Sequence, residues 1–269
     1  MKKYGLLGGK LGHSLSPAIH QAFFKHTGLE GSYQLLETEL ELLPQRMEQL
    51  RSEFAGVNVT IPHKLHVIPI LDGVAPEAQA IGAVNTICFT FAGAWGYNTD
   101  YFGFRRLLEY NNIEIKNRLA VVLGSGGAAR AVVKCLSDKG VGQLYLATRR
   151  PDEVDADFQQ MLPDIKIIGY DELAQLKGDV LINCTPVGMY PKAEASPVGA
   201  EISASFTASV DLIYNPAETL FLRQARLAGK KAVNGLFMLV AQAVAAQELW
   251  QGEKYDSKLI ISIMEELQV

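Results

Sequence analysis

Cysteine is scarce in this chain. Its three cysteines, Cys88, Cys135 and Cys184, stand far apart inside apolar segments, a spacing that makes neither a redox pair nor a metal-ligand set. Buried thiols in a reducing, cytoplasmic setting are the expectation. Charge is sparse as well: Asp, Glu, Lys and Arg make up 20% of the 269 residues, the net charge is −4, and no basic run occurs. That balance argues against a general nucleic-acid surface. No apolar run reaches membrane length. The most apolar segment, Leu236-Phe-Met-Leu-Val-Ala-Gln242-Ala-Val-Ala-Ala, is followed by Gln247 and Glu248 and predicts a buried helix. The N-terminal segment, Met1 to Lys10, is basic, but its apolar stretch is too short for a secretory signal. Internal repeats and low-complexity tracts are missing too. Among the five histidines, His63 and His66 are three apart, yet no acidic or thiol partner follows, so no metal site is expected.

What is present is a hydrophobic content of 48%, enough for sizeable cores, on a length that suits two domains. Strand and helix patterns alternate. Strands are predicted at 4–8, 32–37, 55–60 and 84–91, with helices at 17–26, where Ser16 caps and Pro17 is the first helical residue, at 42–52, and from Thr99 or Asp100 to about Tyr110. The polar stretch 111–118 is a candidate junction. Beyond it come strands at 119–123, 143–148, 165–168, 180–184 and 208–212, and helices at 128–139, 218–227, 236–249 and 258–267. This alternation implies an α/β protein built on parallel sheets with helices on both faces.

One strand runs straight into glycines: Leu119-Ala-Val-Val-Leu123-Gly124-Ser125-Gly126-Gly127-Ala128-Ala129-Arg130. The turn puts backbone N–H groups at a helix N-terminus, a site for a pyrophosphate. Gly124 and Gly126 let the backbone turn and approach the ligand, and small Ala129 lets the helix pack close. Such a turn often only joins a strand to a helix, but here a second strand ends about 20 residues on, where NAD and NADP are told apart. That end reads Ala147-Thr148-Arg149-Arg150, with no carboxylate until Asp152. Arg149 and Arg150 can pair with a 2′-phosphate and Thr148 can add a hydroxyl, which favours NADP; the plain alternative is solvated loop arginines.

Three polar constellations precede the turn. In Gly12-His13-Ser14-Leu15-Ser16-Pro17, the hydroxyls of Ser14 and Ser16 can both donate to a carboxylate, although a turn residue and a helix cap would look the same. In Asn58-Val-Thr60-Ile-Pro62-His63-Lys64, Asn58 and Thr60 share one strand face, and Lys64 follows at once in the next turn. A lysine there is either solvated or an ammonium held above a pocket, able to protonate a developing alkoxide. The third constellation pairs Gly82-Ala-Val84-Asn85-Thr86 with Asn98-Thr99-Asp100. Asn85 can bond a substrate hydroxyl. Asp100 can cap a helix, and close to Lys64 it would hold the ammonium in place.

Taken together, and in order over essentially the whole length, these segments resemble the shikimate dehydrogenase family. The resemblance continues through Asn183-Cys-Thr185-Pro186-Val-Gly188-Met189, Asp211-Leu-Ile-Tyr214-Asn-Pro216 and Gly235-Leu-Phe-Met238-Leu-Val-Ala-Gln242. The run Asn58 to Lys64 with the later Asn98-Thr99-Asp100 carries it; the glycine turn is common to many proteins. The resemblance implies an N-terminal α/β substrate domain (1–100 plus about 239–269), a Rossmann-like NADP-binding domain (101–238), and a cleft between them. It implies reversible reduction of 3-dehydroshikimate to shikimate with NADPH, by a cytoplasmic monomer or homodimer without nucleic-acid or membrane partners. Lys64 would be the acid/base beside Asp100. Ser14 and Ser16 would bind the substrate carboxylate, and Asn58, Thr60, Asn85, Asp100, Tyr214 and Gln242 would surround the ring hydroxyls. Gly124, Ser125, Gly126, Gly127, Ala128 and Ala129 would bind the pyrophosphate, and Met189, Ile213, Gly235 and Met238 would lie near the nicotinamide. Rival expectations are a quinate/shikimate dehydrogenase using NAD and a non-catalytic NADP-binding sensor. The chain departs from the family pattern at Lys10, at Ala147-Thr148-Arg149 in place of Asn-Arg-Thr, at Asn234, and at Phe237, which is expected to narrow the nicotinamide end.

Overall fold

The computed structural model describes residues 1–12 and 14–267, so His13 of the serine-rich segment lies outside the described residues. The chain forms two compact units. Among the described residues, one comprises Met1–Gly103 and 240–267; the other is Phe104–Leu239. The polar stretch 111–118 therefore falls inside the second unit rather than at a junction.

The first unit is built from β1 (Lys2–Gly8), α1 (Ser16–Thr27), β2 (Gly31–Glu37), α2 (Leu43–Glu53), β3 (Gly56–Val59), α3 (His63–His66), β4 (Gly73–Val74), α4 (Pro76–Ile81), β5 (Thr86–Thr90) and β6 (Gly93–Tyr97). The chain leaves it within α5 (Thr99–Tyr110). Its six-stranded sheet has the order β2-β1-β3-β5-β6-β4. The strands β2, β1 and β3 are parallel, but β5 runs antiparallel to both β3 and β6. This corrects the all-parallel expectation for this half. The sequence reads Val84–Phe91 as a lone strand, whereas β5 turns directly into β6. Thr90 Oγ1 closes the turn by donating to the Gly93 carbonyl and accepting from the Ala92 N–H, and a two-strand hairpin is necessarily antiparallel. Val57 and Val59 of β3 pack into the core with Leu7, Leu36, Met47, Leu50 and Ile87. The period of two then puts Asn58 on the opposite face.

The second unit contains β7 (Leu119–Leu123), α6 (Gly127–Asp138), β8 (Gln143–Ala147), α7 (Ala156–Met161), β9 (Lys166–Ile168), α8 (Tyr170–Leu173), β10 (Gly178–Asn183), α9 (Ala200–Ala204), β11 (Phe206–Asp211), α10 (Leu220–Leu227) and β12 (Lys231–Val233). Its sheet, ordered β12-β11-β10-β7-β8-β9, is parallel throughout. That is the doubly wound order of dinucleotide-binding folds, and it reverses at β7 and β10. The strands are apolar along their length because helices cover both faces. Val121, Leu123, Leu181, Phe206 and Phe221 form the centre of one core layer.

The chain re-enters the first unit within α11 (Leu236–Gln251) and ends with α12 (Ser257–Leu267). There α12 packs on α1, where Lys25 and His26 both reach Glu266 at 3.0 Å. Among the described residues, no helix is long and apolar enough to cross a membrane.

Candidate active site

In the first unit the structure brings Lys64 and Asp100 together. Lys64 Nζ donates to Asp100 Oδ2 at 2.6 Å, and the two side chains keep 22% and 16% of their exposure. Each is held by its own backbone setting. Lys64 lies in α3, where its carbonyl accepts the Val84 N–H at 2.9 Å. The ring of neighbouring His63 is fully buried and bonds through Nε2 to the Thr38 carbonyl at 2.8 Å. Asp100 sits in the first turn of α5, but capping falls to others. Asn98 Oδ1 accepts the Tyr101 N–H at 3.3 Å, and Asn85 Oδ1 accepts the Thr99 N–H at 2.6 Å. The Asp100 carboxylate is thereby left for the ammonium.

Around this pair lies a buried polar network. Asn58 Nδ2 donates to Thr86 Oγ1 at 2.9 Å, across the β3–β5 register that pairs the two residues. Thr86 and Thr99 hydroxyls surround Asn85 Oδ1 at 3.0 and 3.1 Å. Thr99 Oγ1 also lies 3.5 Å from Gln242 Oε1 of α11. Asn85 Oδ1 thus holds three donors, and Nδ2 is the end of that amide left to present. Thr60 is half-buried just past β3, where its carbonyl accepts the His63 N–H at 2.8 Å. Ser14 and Ser16 are half-buried at the start of α1, and Ser14 Oγ accepts the Ser16 N–H at 3.2 Å. Ser16 is the first residue of α1 and is not its cap, as the sequence has it; Leu15 precedes it without a side-chain bond. Sequence reasoning missed Tyr33, which donates to Asn58 Oδ1 at 2.7 Å, and the roles of Thr86 and Asn98. The latter two stand inside the recognised motifs, but Tyr33 carries no motif signal.

In the second unit, a cavity of about 560 Å³ opens at the carboxyl end of β7, β8 and β10. Gly124, Ser125, Gly126, Thr148, Arg149, Tyr170, Cys184, Thr185, Ser196 and nearby prolines line it. Gly124 has φ +90°, and a Cβ there would meet Thr185 Cγ2 at 2.7 Å, so the turn needs glycine. At Gly126 and Gly127 a Cβ would meet nothing within 4 Å. The space above the N-terminus of α6 is therefore open, and no side chain caps that helix. Free N–H groups, an open approach and an arginine at the end of β8 fit a dinucleotide phosphate. Among the described residues no carboxylate lines the cavity, which suits a 2′-phosphate better than a 2′-hydroxyl.

The two arginines part ways. Arg149 lines the cavity close to Tyr170, whose hydroxyl burial pushes up in pKa while the guanidinium pulls it down. Arg150 is not in the lining and pairs with Glu153 at 2.9 Å, largely in solvent. The wall formed by 184–188 is tied to β10 and β11. Asn183 Oδ1 accepts from Thr185 N–H and Oγ1, and its Nδ2 donates to Asp211 Oδ1 at 3.0 Å. Asp211 is fully buried and also accepts from Ile213 N–H and Thr219 Oγ1. Burial outweighs these bonds and raises its carboxyl to about 6.

The remaining expected residues also fall in the second unit. Ile213 is buried, Met189 is 47% exposed, and burial raises the half-buried Tyr214 hydroxyl. Gly235 lies against the Leu212 carbonyl, which a Cβ would meet at 2.0 Å. Met238 is buried in the start of α11. The Phe237 ring, expected to narrow the nicotinamide end, is buried and stacked on Tyr110 at 4.4 Å. Ser125 is exposed at the turn, and Ala128 and Ala129 lie in the first turn of α6.

Comparison with known proteins gives the family. The family model for the shikimate dehydrogenase substrate binding domain matches residues 6–87. A protein named shikimate dehydrogenase (NADP(+)) from Clostridium beijerinckii is 46% identical over 260 residues, covering 96% of this chain and 95% of the relative. The structure of a chorismate mutase/shikimate 5-dehydrogenase fusion protein from Clostridium acetobutylicum superposes with a TM-score of 0.95 at 48% identity, over 100% of this chain and 97% of that one. The shikimate 5-dehydrogenase of Thermus thermophilus, solved with NADP(H) and shikimate, gives 0.89 at 37% identity, over 99% of both chains. With its sequence matched end to end and its fold shared, the chain belongs to the shikimate dehydrogenase family.

Proposed function

We propose that this protein reversibly reduces 3-dehydroshikimate to shikimate with NADPH, with Lys64 as the acid/base. The observation that carries this reading is the Lys64–Asp100 pair, set 2.6 Å apart beside a ring of amides and hydroxyls. A protein that only binds needs no positioned ammonium. A ketone reductase does, because the alkoxide that forms must receive a proton. When bound, NADPH supplies the hydride.

The first unit would hold the substrate and the second the dinucleotide. Ser14 and Ser16 would donate to the substrate carboxylate. Asn58, Thr60, Asn85 and Gln242 would bind ring hydroxyls, and Tyr214 is a further residue proposed for the substrate. Asp100 would hold the Lys64 ammonium toward the carbonyl oxygen in the reduction and take part in returning the proton in the oxidation. Gly124 to Ala129 would receive the pyrophosphate at the start of α6. Thr148 and Arg149 would receive the 2′-phosphate, and Met189, Ile213, Gly235 and Met238 would border the nicotinamide. Three free thiols suit a cytoplasmic setting.

The test is an absorbance assay of nicotinamide reduction with shikimate or quinate and with NADP or NAD. Shikimate with NADP should be the fastest pair. Preference for quinate with NAD would move the protein to the sister activity. Tight NADP binding without oxidation of either acid would make it a sensor and overturn the reading.

A further inference from the structure

We propose that Tyr33 is a positioning residue for substrate recognition: its hydroxyl locks the Asn58 amide with the oxygen presented, so that Asn58 receives a substrate hydroxyl as acceptor only. This rests on the function proposed above and deepens it.

The argument begins with what the Asn58 side chain has left to offer. An amide carries two N–H donors and one oxygen with two lone pairs. Both donors are committed, to Thr86 Oγ1 at 2.9 Å and to the Asn85 carbonyl at 3.4 Å. Tyr33 donates to Oδ1 at 2.7 Å. With both N–H groups committed, Oδ1 is the end of the amide that can receive a further donor. A flipped amide would place N–H groups against the Tyr33 hydroxyl and an oxygen against the Asn85 carbonyl, losing bonds in a site where Asn58 is only 6% exposed. Asn85 is fixed in the opposite sense, with its oxygen occupied by three donors. Together the two amides present one acceptor and one donor, a pattern that reads hydroxyl groups.

Tyr33 is built to do this. It stands on β2, while Asn58 stands on β3, and β1 lies between them. Two strand spacings are about 10 Å, which a phenol can cross and a serine or threonine cannot. The ring is stacked on His20, with centroids 3.9 Å apart and planes 10° from parallel. His20 in turn is held by Gln247, with His20 Nδ1 2.9 Å from Gln247 Nε2. With Nδ1 accepting from Gln247, the neutral ring carries its hydrogen on Nε2, which is buried, makes no well-formed hydrogen bond, and faces the oxygen end of the Asn58 amide, so it favours the same amide orientation as Tyr33. Burial keeps the ring neutral, pulling its pKa down to about 3, and burial likewise raises the Tyr33 phenol. Neither group changes charge near neutral pH, so the lock does not loosen with modest pH change. Ser16 is the other side chain that meets the Tyr33 hydroxyl. Tyr33 thus touches both the residue proposed for the substrate carboxylate and one proposed for a ring hydroxyl.

The experiment measures Tyr33→Phe on shikimate and on 4-deoxyshikimate and 5-deoxyshikimate, which keep the oxidised hydroxyl. Loss of one committed hydrogen bond should raise KM for shikimate by about tenfold, with kcat changed much less and KM for NADP unchanged. The same rise should appear with one deoxy analogue and vanish with the other, the one lacking the hydroxyl that Asn58 receives. In an Asn58→Ala background, Tyr33→Phe should add nothing to KM. An unchanged KM for shikimate, an equal penalty on all three acids, or additivity with Asn58→Ala would each overturn the proposal. Failure of the parent enzyme on shikimate would instead overturn the function on which it rests.

Discussion

Lys64 and Asp100 stand 36 positions apart in the chain, yet the ammonium of one donates to the carboxylate of the other at 2.6 Å. Neither is free to wander, since α3 is pinned through His63 and Asp100 is relieved of capping by Asn98. Replacing Lys64 with alanine should lower kcat by roughly 10²–10⁴-fold, or about 3–5 kcal/mol of barrier. NADP affinity, measured by fluorescence titration, should not change, because the residues proposed for the dinucleotide lie in the other unit. A Lys64→Ala enzyme turning over near the parent rate would remove lysine from the chemistry.

Arg149 and Arg150 are adjacent but engaged differently. Arg149 lines the cavity at the end of β8, whereas Arg150 is paired with Glu153. Arg149→Ala should therefore weaken NADP by about tenfold or more while leaving NAD nearly unaffected, as expected for a lost guanidinium–phosphate contact. Arg150→Ala should shift either cofactor by less than about threefold, since exposed pairs contribute little. Steady-state KM values for both cofactors decide it. Equal losses for NADP and NAD in Arg149→Ala would show that this residue does not read the 2′-phosphate.

What could be read from the chain followed the range of the interactions. The β7–turn–α6 unit was legible because strand, glycines and helix are contiguous, and β7 runs over the predicted 119–123. The residue types of the candidate site were legible for a similar reason, as short motifs that keep chemistry local. The β5–β6 hairpin was not, because an apolar run before a turn looks the same whichever direction its neighbour takes. Tyr33 was hidden more deeply: its partner depends on the strand order β2-β1-β3, which no local pattern encodes. The division of labour between Asn98 and Asp100 was also hidden, since either could cap the same helix by composition.

Gly235 marks where the backbone of the second unit closes tightly. A Cβ there would lie 2.0 Å from the Leu212 carbonyl oxygen and 2.5 Å from its carbon, and backbone atoms cannot yield as a flexible side chain can. Gly235→Ala should cost about 1–3 kcal/mol of stability, seen as a lower Tm. Because Gly235 N–H also bonds the Ile213 carbonyl at 3.0 Å, the substitution should weaken dinucleotide binding as well. Gly126→Ala, where a Cβ meets nothing, should leave Tm within a degree or two, and any loss should be confined to NADP affinity. A Gly235→Ala protein as stable as the parent would mean that the loop after β11 can shift freely.

Asp211 gives the stability of the protein a pH dependence of unusual sign. Its carboxyl is raised by burial to about 6 in the folded chain, from an ordinary value of 3.8. Between those values the native state holds a proton that the unfolded chain has released, so stability from this group is greatest below about pH 4 and is lost as pH rises to about 6. Above that, the buried charge costs roughly 3 kcal/mol, the free energy that separates those two proton affinities. Asp211→Asn keeps an acceptor for Asn183 and Ile213 and removes the charge. Urea unfolding from pH 4 to 7 should therefore show the variant gaining on the parent by up to about 3 kcal/mol across the window, even if it starts lower because Thr219 must reorient its hydroxyl. A difference that stays flat over that range would mean Asp211 is ionised throughout, with its three donors outweighing burial.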